Sequence, residues 1–216
     1  MRLVERTIRR RVVYRGGYLA AEQWLVRLPD GRRARRDIVR PPDAVAVVPV
    51  DAEGRLHVVR QFRPALGRAI AEIPAGILDP GERPRDAARR ECMEELGLLP
   101  RRLRRLCTFY SAVGFSTGRI HLFLAEGLRP AAGRADPTEF LEAAALPFGR
   151  ALRRALTNRF VDAKTLLGLL WAARLLGPAG RPRTRGRGRP GAAATRHASR
   201  PRRPTPRPGR GGGTSP

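Results

Sequence analysis

Polar and apolar positions in the first 42 residues fall into extended stretches, Arg11 to Tyr14, Tyr18 to Leu28 and Arg33 to Val39. Turns at Gly16-Gly17 and Pro29-Asp30-Gly31 part them, which predicts a small N-terminal sheet over residues 1–42. Pro41-Pro42-Asp43 breaks the pattern. Beyond it, Ala44 to Val50 and Leu56 to Phe62 predict a hairpin across Asp51-Ala52-Glu53-Gly54, where the main sheet begins. Leu103 to Tyr110, Arg119 to Ala125 and Phe140 to Leu146 read as further strands, whereas Pro147 to Thr157 and Asp162 to Leu176 have helical composition. In the second of these helices Leu166, Leu169, Leu170 and Ala173 make an i, i+3, i+4, i+7 stripe. After Gly177 the chain is Arg, Pro and Gly with almost nothing apolar. Burial in such a segment cannot offset its ordering entropy, so 178–216 is expected to be disordered and 43–177 to hold the main α/β domain.

One segment of that domain carries chemistry. Gly76 to Leu98 reads GILDPGERPRDAARRECMEELGL, with Pro84 near the first position of a short helix and Gly97 just past its last. At about 100° per residue, Glu91, Glu94 and Glu95 share one side of that helix. Like charges at this spacing cost roughly 0.2 to 0.5 kcal/mol per pair, which a bound Mg²⁺ or Mn²⁺ would remove while using the oxygens as ligands. The competing reading is a solvated face on which Arg85, Arg89 and Arg90 pair with the acids.

The fuller spacing discriminates between the two. Gly76 is followed after five residues by Glu82, and seven residues later by Arg90-Glu91-Cys92-Met93-Glu94-Glu95-Leu96-Gly97-Leu98. This resembles the Nudix box, with every charged and glycine position filled and Cys92 standing where an aliphatic residue is usual. The resemblance covers about residues 40 to 176. It implies an α/β/α sandwich on a mixed sheet and hydrolysis of a nucleoside diphosphate linked to another group, with divalent metal. It also implies Glu91 and Glu95 as principal metal ligands, Glu94 completing or bridging the cluster, and the backbone carbonyl of Ala75 adding an oxygen. Arg90 and Glu82 would hold the carboxylates in place.

Flanking segments narrow the resemblance. Val59-Arg60-Gln61-Phe62-Arg63, Glu72-Ile73-Pro74-Ala75-Gly76 and Gly114-Phe115-Ser116 look like stretches of the ADP-ribose pyrophosphatase branch. That likeness implies cleavage of ADP-ribose to AMP and ribose 5-phosphate, with Arg60, Arg63 and Glu72 binding the substrate. Similar enzymes draw a general base from an acidic loop, here Asp136 to Glu142, which points to Glu139 with Glu142 second; Glu139, Glu94 and Arg90 then form the expected catalytic group. Two positions depart from the branch: Val113 stands where proline is usual, and Gly118 where several members carry an acid. Members of the branch commonly pair through exchanged N-terminal sheets, which implies a homodimer.

The formal charge of +25 invites a nucleic-acid reading. Residues 181 to 216, however, carry 11 arginines and no acid, and the rest of the charge is spread. A ratio of 43 arginines to one lysine, Lys164, is what a GC-rich genome produces whatever the protein binds. Binding of nucleic acid through the tail is therefore the less favoured alternative. Two cysteines, Cys92 and Cys107, without zinc spacing fit a reducing cytosol. The N-terminus lacks the apolar stretch of a signal peptide, and the most apolar helix, Leu166 to Leu176, is too short to span a bilayer.

Overall fold

The continuous apolar run Ala44-Val-Ala-Val-Val-Pro49 forms strand β4, which is buried on both faces. Val45 and Val47 point to one core with Ala87, Ala88, Cys92, Leu103 and Phe123; Ala46 and Val48 point to the other with Ile73, Leu122, Phe148 and Leu169. The computed structural model describes residues 3–133 and 137–181.

Upstream of β4 lie β1 (Arg6–Arg15), β2 (Ala20–Arg27) and β3 (Arg33–Arg40), an antiparallel sheet in that order. Downstream come β5 (Arg55–Arg63), a 3-10 turn, β6 (Arg68–Glu72), β7 (Ala75–Ile77), α1 (Pro84–Leu96), β8 (Leu98–Tyr110), β9 (Arg119–Pro130), β10 (Leu141–Pro147), α2 (Phe148–Leu156) and α3 (Ala163–Leu176). One sheet runs β7-β4-β9-β8 and is mixed, because β4 and β9 are parallel and the other pairs antiparallel. The other runs β10-β5-β6, antiparallel throughout. With α1 on one core and α2 and α3 on the other, this is the α/β/α sandwich on a mixed sheet. The N-terminal sheet is tied to it where Val39 N donates to Phe115 O (2.7 Å) and Thr117 N to Val39 O (3.1 Å).

The predicted β4–β5 hairpin is corrected. Its turn forms, with Asp51 N donating to Arg55 O (3.0 Å), but the pairing ends at a single Val50–Leu56 bridge. A strand apolar on both faces needs helices over both and partners at both edges, and β4 takes them from β7 and β9. β5, with exposed Arg55, Arg60 and Phe62, goes to the second sheet. The first residues of the predicted disordered tail are also ordered: Gly180 is buried against Phe148, and its N–H donates to Gly177 O (3.2 Å). From residue 182 onward the tail lies outside the described residues.

Helix α3 is locked beside the chemistry-bearing segment. Asp162 caps it, accepting from Thr165 N (2.9 Å) and from the Thr165 hydroxyl (2.6 Å). That hydroxyl in turn accepts from Ile73 N (3.0 Å), fixing the link between β6 and β7. Among the described residues no helix is long and apolar enough to cross a membrane.

Gly168 lets α3 seat closely, since a Cβ there would meet Val48 Cγ2 at 2.8 Å and Ile73 Cδ1 at 3.1 Å. Helix propensity favours alanine by about 1 kcal/mol, but overpacking costs roughly 1 to 3 kcal/mol. Gly168→Ala is expected to lower the urea midpoint, with a net loss of about 1 kcal/mol; a raised midpoint would show that α3 docks less tightly.

Candidate active site

Helix α1 begins with Pro84 and ends at Gly97, whose φ of 65° is the left-handed conformation that favours glycine, with its N–H donating to Met93 O (3.0 Å). Its inner face, Ala87, Ala88 and Cys92, is fully buried, so small residues bring the helix axis close to β4 and β8. Cys92 packs as a small apolar group, its thiol held in the neutral form by burial. The next side of the helix carries Glu91, Glu94 and Glu95.

Glu91 is 6% exposed and lies against β7, where a Cβ on Gly76 would overlap its carboxylate. The box glycine is thus a requirement of space. Glu95 Oε1 accepts a long hydrogen bond from Ala75 N (3.4 Å), while its Oε2 is buried with no hydrogen-bond partner. Glu94 is half-exposed and accepts from Arg90 Nη1 (2.9 Å).

Arg90 organises this edge. Its Nε and Nη2 form a two-point fork on Glu82 (3.0 and 2.9 Å), Nη1 also donates to Glu91 Oε1 (2.7 Å), and Nη2 donates to Ile77 O (3.0 Å). Glu82 in turn accepts from Asp79 N (3.1 Å), so one guanidinium ties together the loop, β7 and the helix. The fork holds Glu82 below the usual carboxylate range and raises Arg90.

The other carboxylates move the opposite way. Burial pushes Glu91 up to about 7, against the pull of Arg90 and with repulsion from Glu94 and Glu139 adding to it. Glu95 is pushed up to about 8 by burial, then by Glu91, with smaller contributions from Glu139 and Glu72. Glu139 is exposed, yet its charge is felt by both; Asp136 of the same loop lies outside the described residues.

As they stand, no three carboxylate, imidazole or thiol groups among the described residues are arranged to hold an ion. Arg90 engages Glu91 and Glu94, and Glu95 turns to Ala75. The donor set nevertheless fits a hard cation: it is all oxygen, one oxygen is buried and unpartnered, and two carboxylates are costly to ionise without added positive charge.

The expected substrate residues divide. Arg63 Nε donates to Glu72 Oε1 (2.7 Å), and Glu72, 1% exposed, also pairs through Oε2 with Lys164. Lys164 reaches Asp162 Oδ1 as well (3.1 Å). Burial thus turns both Glu72 oxygens toward cations of the protein, where an opening to substrate was expected. Arg60, three residues before Arg63 on an extended strand, points to the opposite face and pairs with Glu142 (3.1 Å). It is not brought together with the box carboxylates.

Fold and site together define a hydrolase acting on phosphate anhydrides. The NUDIX domain family matches residues 40–167, and the chain belongs to that family as a Nudix pyrophosphohydrolase. It is similar to the ADP-ribose pyrophosphatase of Bacillus subtilis (strain 168), at 38% identity over 165 residues, covering 76% of this chain and 89% of that protein. It is also similar to the methanol dehydrogenase activator of Bacillus methanolicus, at 36% identity over 167 residues, covering 76% and 90%. A solved structure described as an ADP compounds hydrolase superposes with a TM-score of 0.73 at 23% identity, covering 82% of this chain and 96% of that one, and shares its fold.

Stability should report the buried charge. A carboxyl raised to about 8 stabilises the fold fully below its unfolded value, near 4.5, and that contribution is lost as pH rises through 8. In chelator, Glu95→Gln and the parent are expected to melt alike near pH 5, with the variant pulling ahead toward pH 8.5. A thermal-melt gap that stays constant with pH would contradict the burial of this carboxylate.

Proposed function

We propose that this chain hydrolyses the pyrophosphate of ADP-ribose, water adding to one phosphorus as its bond to the bridging oxygen breaks, to give AMP and ribose 5-phosphate. The observation that carries the reading is the pair Glu91 and Glu95, buried beside Gly76 with an oxygen left unpartnered. Glu91, Glu95, Glu94 and the Ala75 carbonyl would hold Mg²⁺ or Mn²⁺, which when bound neutralises diphosphate charge and orients the substrate. Arg90 keeps Glu91 and Glu94 in place through its fork on Glu82. Glu139 accepts the proton of the attacking water; its exposure leaves it free to approach, and its charge already acts on Glu91 and Glu95.

Arg63 meets the substrate phosphates or stacks on a ring, and Glu72, gripped by Lys164, sets the guanidinium's direction. Arg60 has no part in this reading, because it lies on the other face of β5. The ADP-ribose assignment draws on the Bacillus subtilis relative and the motifs around Arg63 and Glu72. Other nucleoside diphosphate sugars and dinucleotides present the same diphosphate and are the alternative substrates. β1 is exposed at every position, with Ile8, Val12, Val13 and Tyr14 between 45% and 59% exposed, and supports a homodimer formed through the N-terminal sheet. The free thiols of Cys92 and Cys107 fit a cytoplasmic protein.

Glu95→Gln is expected to lower kcat for ADP-ribose by roughly 10² or more, as when metal positioning is lost; a near-parental rate would remove Glu95 from the ligand set. Glu139→Gln should depress kcat by roughly 10² while leaving the Mg²⁺ dependence unchanged. Loss of metal affinity in that variant, or no loss of rate, would assign the proton to another group.

A further inference from the structure

On the face of the β10-β5-β6 sheet that α2 covers, a cleft of about 390 Å³ is lined by Arg60, Arg68, Arg154, Arg159, Val58 and Phe160, among others. Register places it opposite the catalytic side: Glu72 and Arg63 alternate with Ala71 and Arg60 along β6 and β5, so the two sets leave the sheet in opposite directions, and Arg68, the direct partner of Arg63, leaves with Arg63. Three arginines of this side, Arg60, Arg154 and Arg159, line the concavity, and the acid beside them, Glu142, engages Arg60. Arg154 and Arg159 have no carboxylate partner among the described residues.

The arrangement is built by the backbone. After α2 the chain reverses at Asn158, whose φ of 54° makes it the one non-glycine residue with positive φ among the described residues. That turn lets Arg159 N donate to Arg154 O (2.8 Å) and places both side chains at the same opening. Arg154 lies over the Phe160 ring at 5.4 Å, which steadies its guanidinium against an apolar floor.

We propose that this cleft binds a small organic phosphate monoester, its phosphoryl group between Arg154 and Arg159 and its apolar body against Ala144, Leu146 and Val161. Guanidinium forks match phosphate oxygens in geometry as well as charge, and the volume lies within the range of small-molecule pockets, about 300 to 1,000 Å³. An arginine-rich composition scatters guanidiniums over any surface. Convergence of two uncompensated ones on a hollow is a more specific arrangement.

Titration calorimetry of the full chain in chelator, with phenyl phosphate and with inorganic phosphate as probes, tests this without turnover. The parent should bind phenyl phosphate saturably, at least tenfold more tightly than inorganic phosphate and at least tenfold more tightly than Arg154→Ser/Arg159→Ser. Arg104→Ser, an exposed position on β8 away from the cleft, should keep the parental affinity. If the double variant unfolds, Arg159→Ser alone should still weaken binding while the melting temperature is retained. No saturable binding, equal affinity for inorganic phosphate, parental affinity in a folded cleft variant, or loss of binding in Arg104→Ser would each overturn the proposal.

Discussion

The burial of the Glu91 carboxylate against a backbone without a Cβ is the constraint from which the rest of the site follows. An ion removed from water must be compensated by nearby opposite charge, and Arg90 supplies this from one residue away on the same helix. A guanidinium free to swing would serve poorly. Glu82 on the preceding loop and the Ile77 carbonyl on β7 hold it at fixed points, so the loop geometry is set by the need to aim one cation. The same burial demands that α1 lie close to the sheet, which Ala87, Ala88 and Cys92 permit by being small.

Much of this architecture was legible in the sequence because its signals are local. Pro84 and Gly97 bracket α1 at the expected ends, and the box spacing depends on positions within 23 residues. The β4–β5 relation was not legible. A short turn between two apolar runs reads as a hairpin, whereas the choice of partners depends on β7 and β9, far along the chain, competing for the edges of β4. Tertiary pairing overrode local connection, and what is left of the hairpin is its turn and the Val50–Leu56 bridge.

The site divides in the same way. Glu91, Glu94 and Glu95 could be placed on one helical side by periodicity, but which oxygens face protein cations depends on Arg90 and Ala75 in three dimensions. Arg60 and Arg63 are separated by an odd number of residues on a strand; alternation alone assigns them to opposite faces, a reading that motif likeness obscured. The pairing of Lys164 with Glu72 joins residues far apart in the chain, and no local pattern shows it. Its signal was present all the same: in a chain of 43 arginines, a single lysine marks a position where a compact ammonium suits the space between Glu72 and Asp162 better than a planar guanidinium.

That solitary ammonium also has an analytical consequence. Its side chain is only 12% exposed and lies between two carboxylates, so acylating reagents meet no readily available ε-amine on the folded chain. Modification of Lys164 would instead accompany opening of the α3 end away from β6, and labelling kinetics there would clock the breathing of this corner of the sandwich.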